Sequence, residues 1–75
     1  MIDTAQIKEY MEVKGSDDQH VGIVDRVEGQ RIKLTKSDQA AGGQHHYIEL
    51  DMVDAIKSGA VYLRKTADEA KRAFH

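Results

Sequence analysis

The chain has no cysteine, no proline and no tryptophan, and only one phenylalanine beside three tyrosines in 75 residues. Without cysteine, neither a disulfide nor a thiolate zinc site can staple the fold, which suits a reducing compartment. Without proline, tight turns fall to glycine and to Asx residues. Long apolar runs are also missing. Ile23-Val24 and Ala60-Val61-Tyr62-Leu63 fall far short of the roughly 20 residues of a membrane helix. The opening MIDTAQIKEY has no basic segment followed by an apolar one, so it is not a signal peptide. The expectation is a cytoplasmic protein with no membrane span. Neither sign of charge dominates: 11 basic residues face 13 acidic ones, for a net charge of −2. Nothing general therefore draws the chain to nucleic acid or anionic lipid, and nucleic acid is not an expected partner.

What is present is a foldable mixture, 40% hydrophobic and 32% charged, too apolar for a disordered chain. The length allows one domain. A domain of this size hides roughly 60% of its unfolded surface, so a thin core and no deep substrate cavity are expected.

Along the chain, residues 3–9 suit a short helical turn capped by Asp3 or Thr4. Tyr10-Met11-Glu12-Val13 suits a strand, and Gly15-Ser16-Asp17-Asp18 a turn. Residues 20–28 form a strand in which Val21, Ile23 and Val27 keep period two while Val24 is out of phase. A bulge near Asp25-Arg26, or burial of both faces, reconciles this. Gly29-Gln30 is a two-residue hairpin loop, and residues 31–36 alternate with Ile32 and Leu34 inward. Residues 37–44 form a loop, and residues 45–50 a strand. Residues 51–56 look like a one-turn connector with Val53 and Ile56 inward. Ser58-Gly59 is a turn, and residues 61–65 the last strand. Thr66-Ala67-Asp68-Glu69 is a capping box opening a helix over about residues 67–74, with Ala67, Ala70 and Phe74 on one stripe. The expected core is Val21, Val27, Ile32, Leu34, Ile48, Leu50, Val53, Val61 and Leu63. Short strands separated by turns indicate a mainly β barrel or sandwich with a C-terminal helix.

In order, Val21-Gly22-Ile23-Val24-Asp25-Arg26-Val27, Ile32-Lys33-Leu34, Tyr47-Ile48-Glu49-Leu50-Asp51-Met52-Val53 and Val61-Tyr62-Leu63 resemble a PRC-barrel domain. That family is a small β-barrel with a V-G-x-V-x-x-V pattern, a later I-P-L-D-x-V and a later V-x-V/L. Here Glu49 stands where the family often has proline. The resemblance spans residues 10–66 and implies a barrel of about five to six short strands over residues 10–65. The likeness extends to small stand-alone bacterial PRC-barrel-like proteins that carry the run GGQHHYI and a terminal KTADEAK helix, a group with no assigned function. PRC-barrel relatives include the cytoplasmic domain of a photosynthetic reaction-centre subunit and a domain of a ribosome-maturation factor. Both imply a protein-docking module rather than an enzyme, by analogy of fold.

His45 and His46 invite a metal or catalytic reading. Neighbouring side chains of a strand point to opposite faces, so the two rings cannot chelate one ion from a regular strand. A metal pair would be His-x-His on a strand, or i and i+4 on a helix. By phase, His46 sits with Ile48 and Leu50, bonded to loop backbone, while His45 joins Tyr47 and Glu49 at the solvent. The competing reading is a zinc or nickel site, or a small-ligand site, completed by His20 or Glu49. Glu49, Asp51 and Asp54 lie close in sequence, but paired-carboxylate chemistry needs a cleft, and Asp51 suits a cap of the Met52 turn. Asp17-Asp18 lacks the spacing of a calcium loop. Arg26, Arg31, Lys33, Arg64, Lys65 and Tyr62 on one outer face would make a weak RNA binder. The alternative for them is a solvated face of cross-strand charge pairs.

The expectation is a non-enzymatic protein-interaction or adaptor module with no cofactor, acting on an unidentified protein partner or as a homodimer. Its candidate surface is His45, Tyr47, Glu49, Met11, Met52 and Phe74. Methionine suits surfaces that repack, and Phe74 lies where helices fray.

Overall fold

A computed structural model describes residues 4–36 and 45–73. The expected loop at 37–44, the Asp3 cap, Phe74 and His75 lie outside the described residues. A 3-10 turn at Thr4–Gln6 precedes six strands: β1 (Glu12–Lys14), β2 (His20–Glu28), β3 (Arg31–Leu34), β4 (His46–Glu49), β5 (Val53–Lys57) and β6 (Ala60–Leu63). Helix α1 (Ala67–Arg72) follows. The strands form one sheet in the order β4-β3-β2-β1-β6-β5. Every neighbouring pair is antiparallel except β1 with β6. The fold is thus mainly β with a C-terminal helix.

Turn chemistry sets the hairpins. Gly29 at φ 61° opens the two-residue loop between Glu28 and Arg31, as a type II′ turn requires. Ser58 and Gly59, at φ 54° and 73°, both take the left-handed conformation of a type I′ turn. That turn joins β6 to a strand, not to a connector. Residues 53–57 pair with β6 from Val53↔Leu63 to Lys57↔Ala60, which corrects the expected one-turn connector.

The core is aliphatic. Val13, Val21, Val24, Ile32, Leu34, Ile48, Val53, Val61 and Leu63 are fully buried. Val27 and Leu50, expected inside, are half-buried against this cluster. Val24 is buried through both of the expected routes. The β2–β3 register shifts between Val24 and Arg26, and β2 is covered on both faces. Adjacent Val21 and Gly22 point oppositely, yet both are buried. Gly22 faces Leu34, and α1 packs on β2 through buried Ala67 and Ala70. The capping box forms as expected, with Thr66 Oγ1 accepting from Glu69 N.

β4 and β5 stand at opposite ends of the sheet but are joined by a single 3-10 turn, Leu50–Met52. That turn bridges the sheet. Leu50 N donates to Gln30 O at 2.9 Å, and Arg64 N donates to Met52 O at 2.8 Å. Arg64 Nε donates to Asp51 O at 3.0 Å. The expected side-chain cap by Asp51 is therefore replaced by backbone contacts, and the residue before the turn, Glu49, makes no side-chain cap bond. The sheet must curl to let so short a link join its ends, since a flat array with about 4.8 Å between strands could not.

Candidate functional site

Parallel pairing of β1 with β6 sets Lys14 beside Tyr62. Both face outward, because Val13, Val61 and Leu63 take the inward positions. The β1–β2 turn brings Asp18 to the same place. It has φ 66°, a conformation Asp tolerates. Tyr62 Oη donates to Asp18 Oδ1 at 3.0 Å, and Lys14 Nζ lies 3.4 Å from the same oxygen. The ammonium groups of Lys57 and Lys14 sit 4.9 Å and 6.0 Å from the Tyr62 ring centroid. Glu12 extends the group, with Oε2 2.9 Å from His20 Nδ1.

The charges are mutually satisfied. The hydrogen bond from Tyr62, then the charge of Lys14, holds the Asp18 carboxyl below its usual range. Asp18, chiefly by its charge, raises Lys14. The hydrogen bond to Asp18, followed by desolvation, raises Tyr62. The phenol therefore keeps its proton more firmly than free tyrosine, the opposite of an activated phenolate. What the arrangement offers is an ordered surface with one aromatic ring between two ammonium groups. Sequence reasoning named Tyr62 but missed Lys14 and Lys57, the ammonium groups at its ring. Arg26, Arg31 and Lys33 lie on the β2–β3 hairpin, while Arg64 bonds Asp51 O. The signal for Lys14 lay in a parallel strand pairing that no local pattern reveals, and Lys57 reaches the ring from β5 across the β5–β6 hairpin.

The histidines divide as strand phase requires. His46 pairs with Leu34 and shares the inward phase of Ile48. It is His45, however, whose Nδ1 lies 2.9 Å from Leu34 O, with Asp25 Oδ2 at 4.0 Å. His20 stands at the start of β2 with Glu12, away from both. No metal-binding cluster of three or more His, Cys, Asp or Glu occurs among the described residues.

Tyr47 and Glu49 lie outward on β4. Arg31 lies opposite Glu49 and stacks 5.4 Å from the Tyr47 ring centroid. Arg26 pairs with Glu28 at 2.8 Å. These contacts are those of a solvated charged sheet face. Met11 and Met52 are half-buried against the core, and their backbones adjoin opposite ends of β6. A depression beside α1 is lined by Asp17, His20 and Lys71 among others, but Asp17 Oδ1 there already accepts from Ala67 N at 3.1 Å.

One residue escaped the sequence reading. Tyr10 was assigned to the first strand. It lies before β1, at φ 68°, and is 77% exposed. Its backbone is held firmly, with N donating to Val24 O at 2.8 Å.

The model of a family described as "Uncharacterized protein conserved in bacteria (DUF2171)" matches residues 7–71. The chain belongs to this family. The matched span begins at buried Ile7 and ends inside α1, so the family's unit includes the whole sheet and most of the helix. It leaves out Phe74 and includes Tyr10, Tyr62 and the β4 residues. Neither the curated proteins nor the solved structures contain a match. No helix among the described residues is long and apolar enough to cross a membrane.

Proposed function

We propose that this protein is a non-enzymatic protein-interaction module, an adaptor on a PRC-barrel-like scaffold working in the cytoplasm, and that Tyr10 anchors its contact. The observation that carries this reading is the state of Tyr10. A bulky residue in the left-handed region is a genuine outlier, and strain of this kind costs about 1–3 kcal/mol. Inside this chain the ring recovers little of that, since it is 77% exposed. An exposed, backbone-fixed tyrosine is what a partner's pocket uses, because it offers large amphipathic area at low entropic cost. Half-buried Met11 beside it supplies an adaptable apolar floor. Met52, His45, Tyr47 and Glu49 belong to other parts of the candidate surface. The scaffold reading rests on the motif order and on the short turn that links the two terminal strands.

The test is the Tyr10→Asn variant. Asparagine accepts positive φ, so the fold should be retained with an equal or higher unfolding midpoint. Capture of binding proteins from the native host should fall at least about tenfold, the loss of a modest hot spot. Unchanged capture with an intact fold would show that Tyr10 is not the anchor. The metal-site and RNA readings gain no specific support from the distances at His45 and Tyr62.

A further inference from the structure

The three tyrosines of the chain differ in what lies at their rings. Tyr62 holds Lys57 and Lys14 at 4.9 Å and 6.0 Å from its centroid. Tyr47 holds Arg31 at 5.4 Å. Tyr10 has neither ammonium nor guanidinium over its ring among the described residues, although it is the most exposed of the three. The turn that carries it is closed on itself. Met11 N donates to Lys8 O at 3.3 Å, and Lys8 N donates to Met11 Sδ at 3.2 Å. Tyr10 takes the third position of this turn, where a type II turn needs positive φ. Tyr10 N donates to Val24 O, and Val24 N donates to Met11 O. The turn is therefore fixed to β2 while Lys8, Glu9 and Tyr10 stay exposed.

Carboxylates adjoin this ring. Glu9 precedes Tyr10 and forms no ion pair among the described residues. Asp25 follows Val24, whose carbonyl holds Tyr10 N, and stands in the β2 register shift. Its Oδ2 lies 4.0 Å from His45 Nδ1, beyond hydrogen-bond reach. That nitrogen donates instead to Leu34 O at 2.9 Å, because a carbonyl only accepts. Lys8 is the turn's own cation, set against Glu9 and Asp25. Glu12, two residues after Tyr10, is already answered by His20 and Lys14.

We propose that Tyr10 receives an arginine of the partner protein, its guanidinium stacked on the phenol ring and paired with Glu9 or Asp25. This rests on the contact role proposed for Tyr10 and adds the chemistry of what meets it. A guanidinium suits the place on three counts. It is planar and stacks on aromatic faces, it is weakly hydrated, and its fork of N–H donors matches a carboxylate. The ring attracts it through the negative charge of its face. An acidic side chain would meet that same negative face beside two carboxylates. The two other tyrosines are served by cations of their own chain, so Tyr10 is the ring left for a cation from outside.

Acetyl-arginine amide is the probe, titrated into the whole chain and followed by NMR. The Tyr10 ring signals and the Glu9 and Asp25 amides should shift saturably, while the occupied Tyr47 and Tyr62 rings respond less. Acetyl-glutamate amide should leave all of them in place. The Glu9→Gln/Asp25→Asn double variant should bind the arginine probe at least about twofold more weakly, as the loss of exposed ion pairs implies. Tyr10→Asn should abolish the shifts at Glu9 and Asp25. No saturable shift at Tyr10 would overturn the proposal. So would equal shifts at all three rings, or an equal response to the glutamate probe. Capture of host proteins separates this proposal from the contact role. Capture lost in Tyr10→Asn but undiminished in the folded double variant would overturn the arginine and leave the contact role standing. Capture unchanged in folded Tyr10→Asn would remove the contact role, and the arginine with it.

Discussion

Gly15→Ala adds one methyl group where the β1–β2 turn meets the start of α1. The new Cβ would lie 2.7 Å from the Thr66 carbonyl carbon, and closer still to the Ala67 nitrogen. Carbon atoms rest at about 3.5–4.0 Å, and the obstructing atoms are backbone, so no rotamer relieves the clash. The turn must withdraw from the helix by about an ångström. Two contacts hold it there: Ser16 N to Lys65 O at 2.8 Å and Ala67 N to Asp17 Oδ1 at 3.1 Å. Each of the two hydrogen bonds contributes about 0.5–1.5 kcal/mol, and overpacking costs about 1–3 kcal/mol, so the whole loss is about 2–6 kcal/mol. Against a total of about 5–15 kcal/mol for a small domain, this is severe. In urea the midpoint should fall by at least about 1 M. Amide exchange should rise first at Ala70, which bonds Thr66 O at 2.9 Å. A midpoint unchanged from the unmodified chain would refute the close turn–helix packing. Gly22→Ala is the control: its Cβ meets the Leu34 Cδ1 methyl at 2.9 Å, a side-chain end that can move, so the cost should be nearer about 1 kcal/mol.

Leu34→Ala should cost about 2–5 kcal/mol and half-buried Leu50→Ala distinctly less, as parallel urea melts will show; equal losses would contradict the burial pattern. Raised groups give a stability contribution present below their unfolded values and lost as pH rises through the folded ones. Tyr62, raised mainly by its bond to Asp18, should therefore ionise above free tyrosine in a 295 nm titration, and Asp18→Ala should bring it back. Asp18 and Glu69 are depressed, Glu69 chiefly through its bond from the Thr66 backbone. Their contribution is present above ordinary carboxylate values and fades as pH falls through the folded values, which acid unfolding of Thr66→Ala and Asp18→Ala will reveal as a shallower low-pH limb.

How much of this was legible depends on whether local pattern and pairing agreed. The β2–β3 hairpin was, because Gly29 and the alternation around Ile32 and Leu34 point the same way. β5 was not. Val53 and Ile56 are three apart, the spacing of a helical turn, and the register shift after Val53 is what lets both face inward from a strand. Ser58-Gly59 was recognised as a turn, and two left-handed residues in sequence call for a strand on each side. In the Tyr62 cluster, Lys14 and Asp18 arrive through the parallel β1–β6 pairing, which no local pattern discloses, while Lys57 arrives through the β5–β6 hairpin, which the connector reading of residues 51–56 concealed. Tyr10 left no trace at all, since tyrosine is not a residue that turn chemistry marks for positive φ.

The central claim is that Tyr10 faces a protein partner. A benzophenone amino acid placed at position 10 in the native host, with exposed Asp54 as the comparison position, tests it by cross-linking in living cells. The account predicts a discrete protein adduct at position 10 that is absent at position 54, suppressed by excess unmodified chain and not by Tyr10→Asn. No adduct at position 10, or the same adducts at both positions, would contradict it.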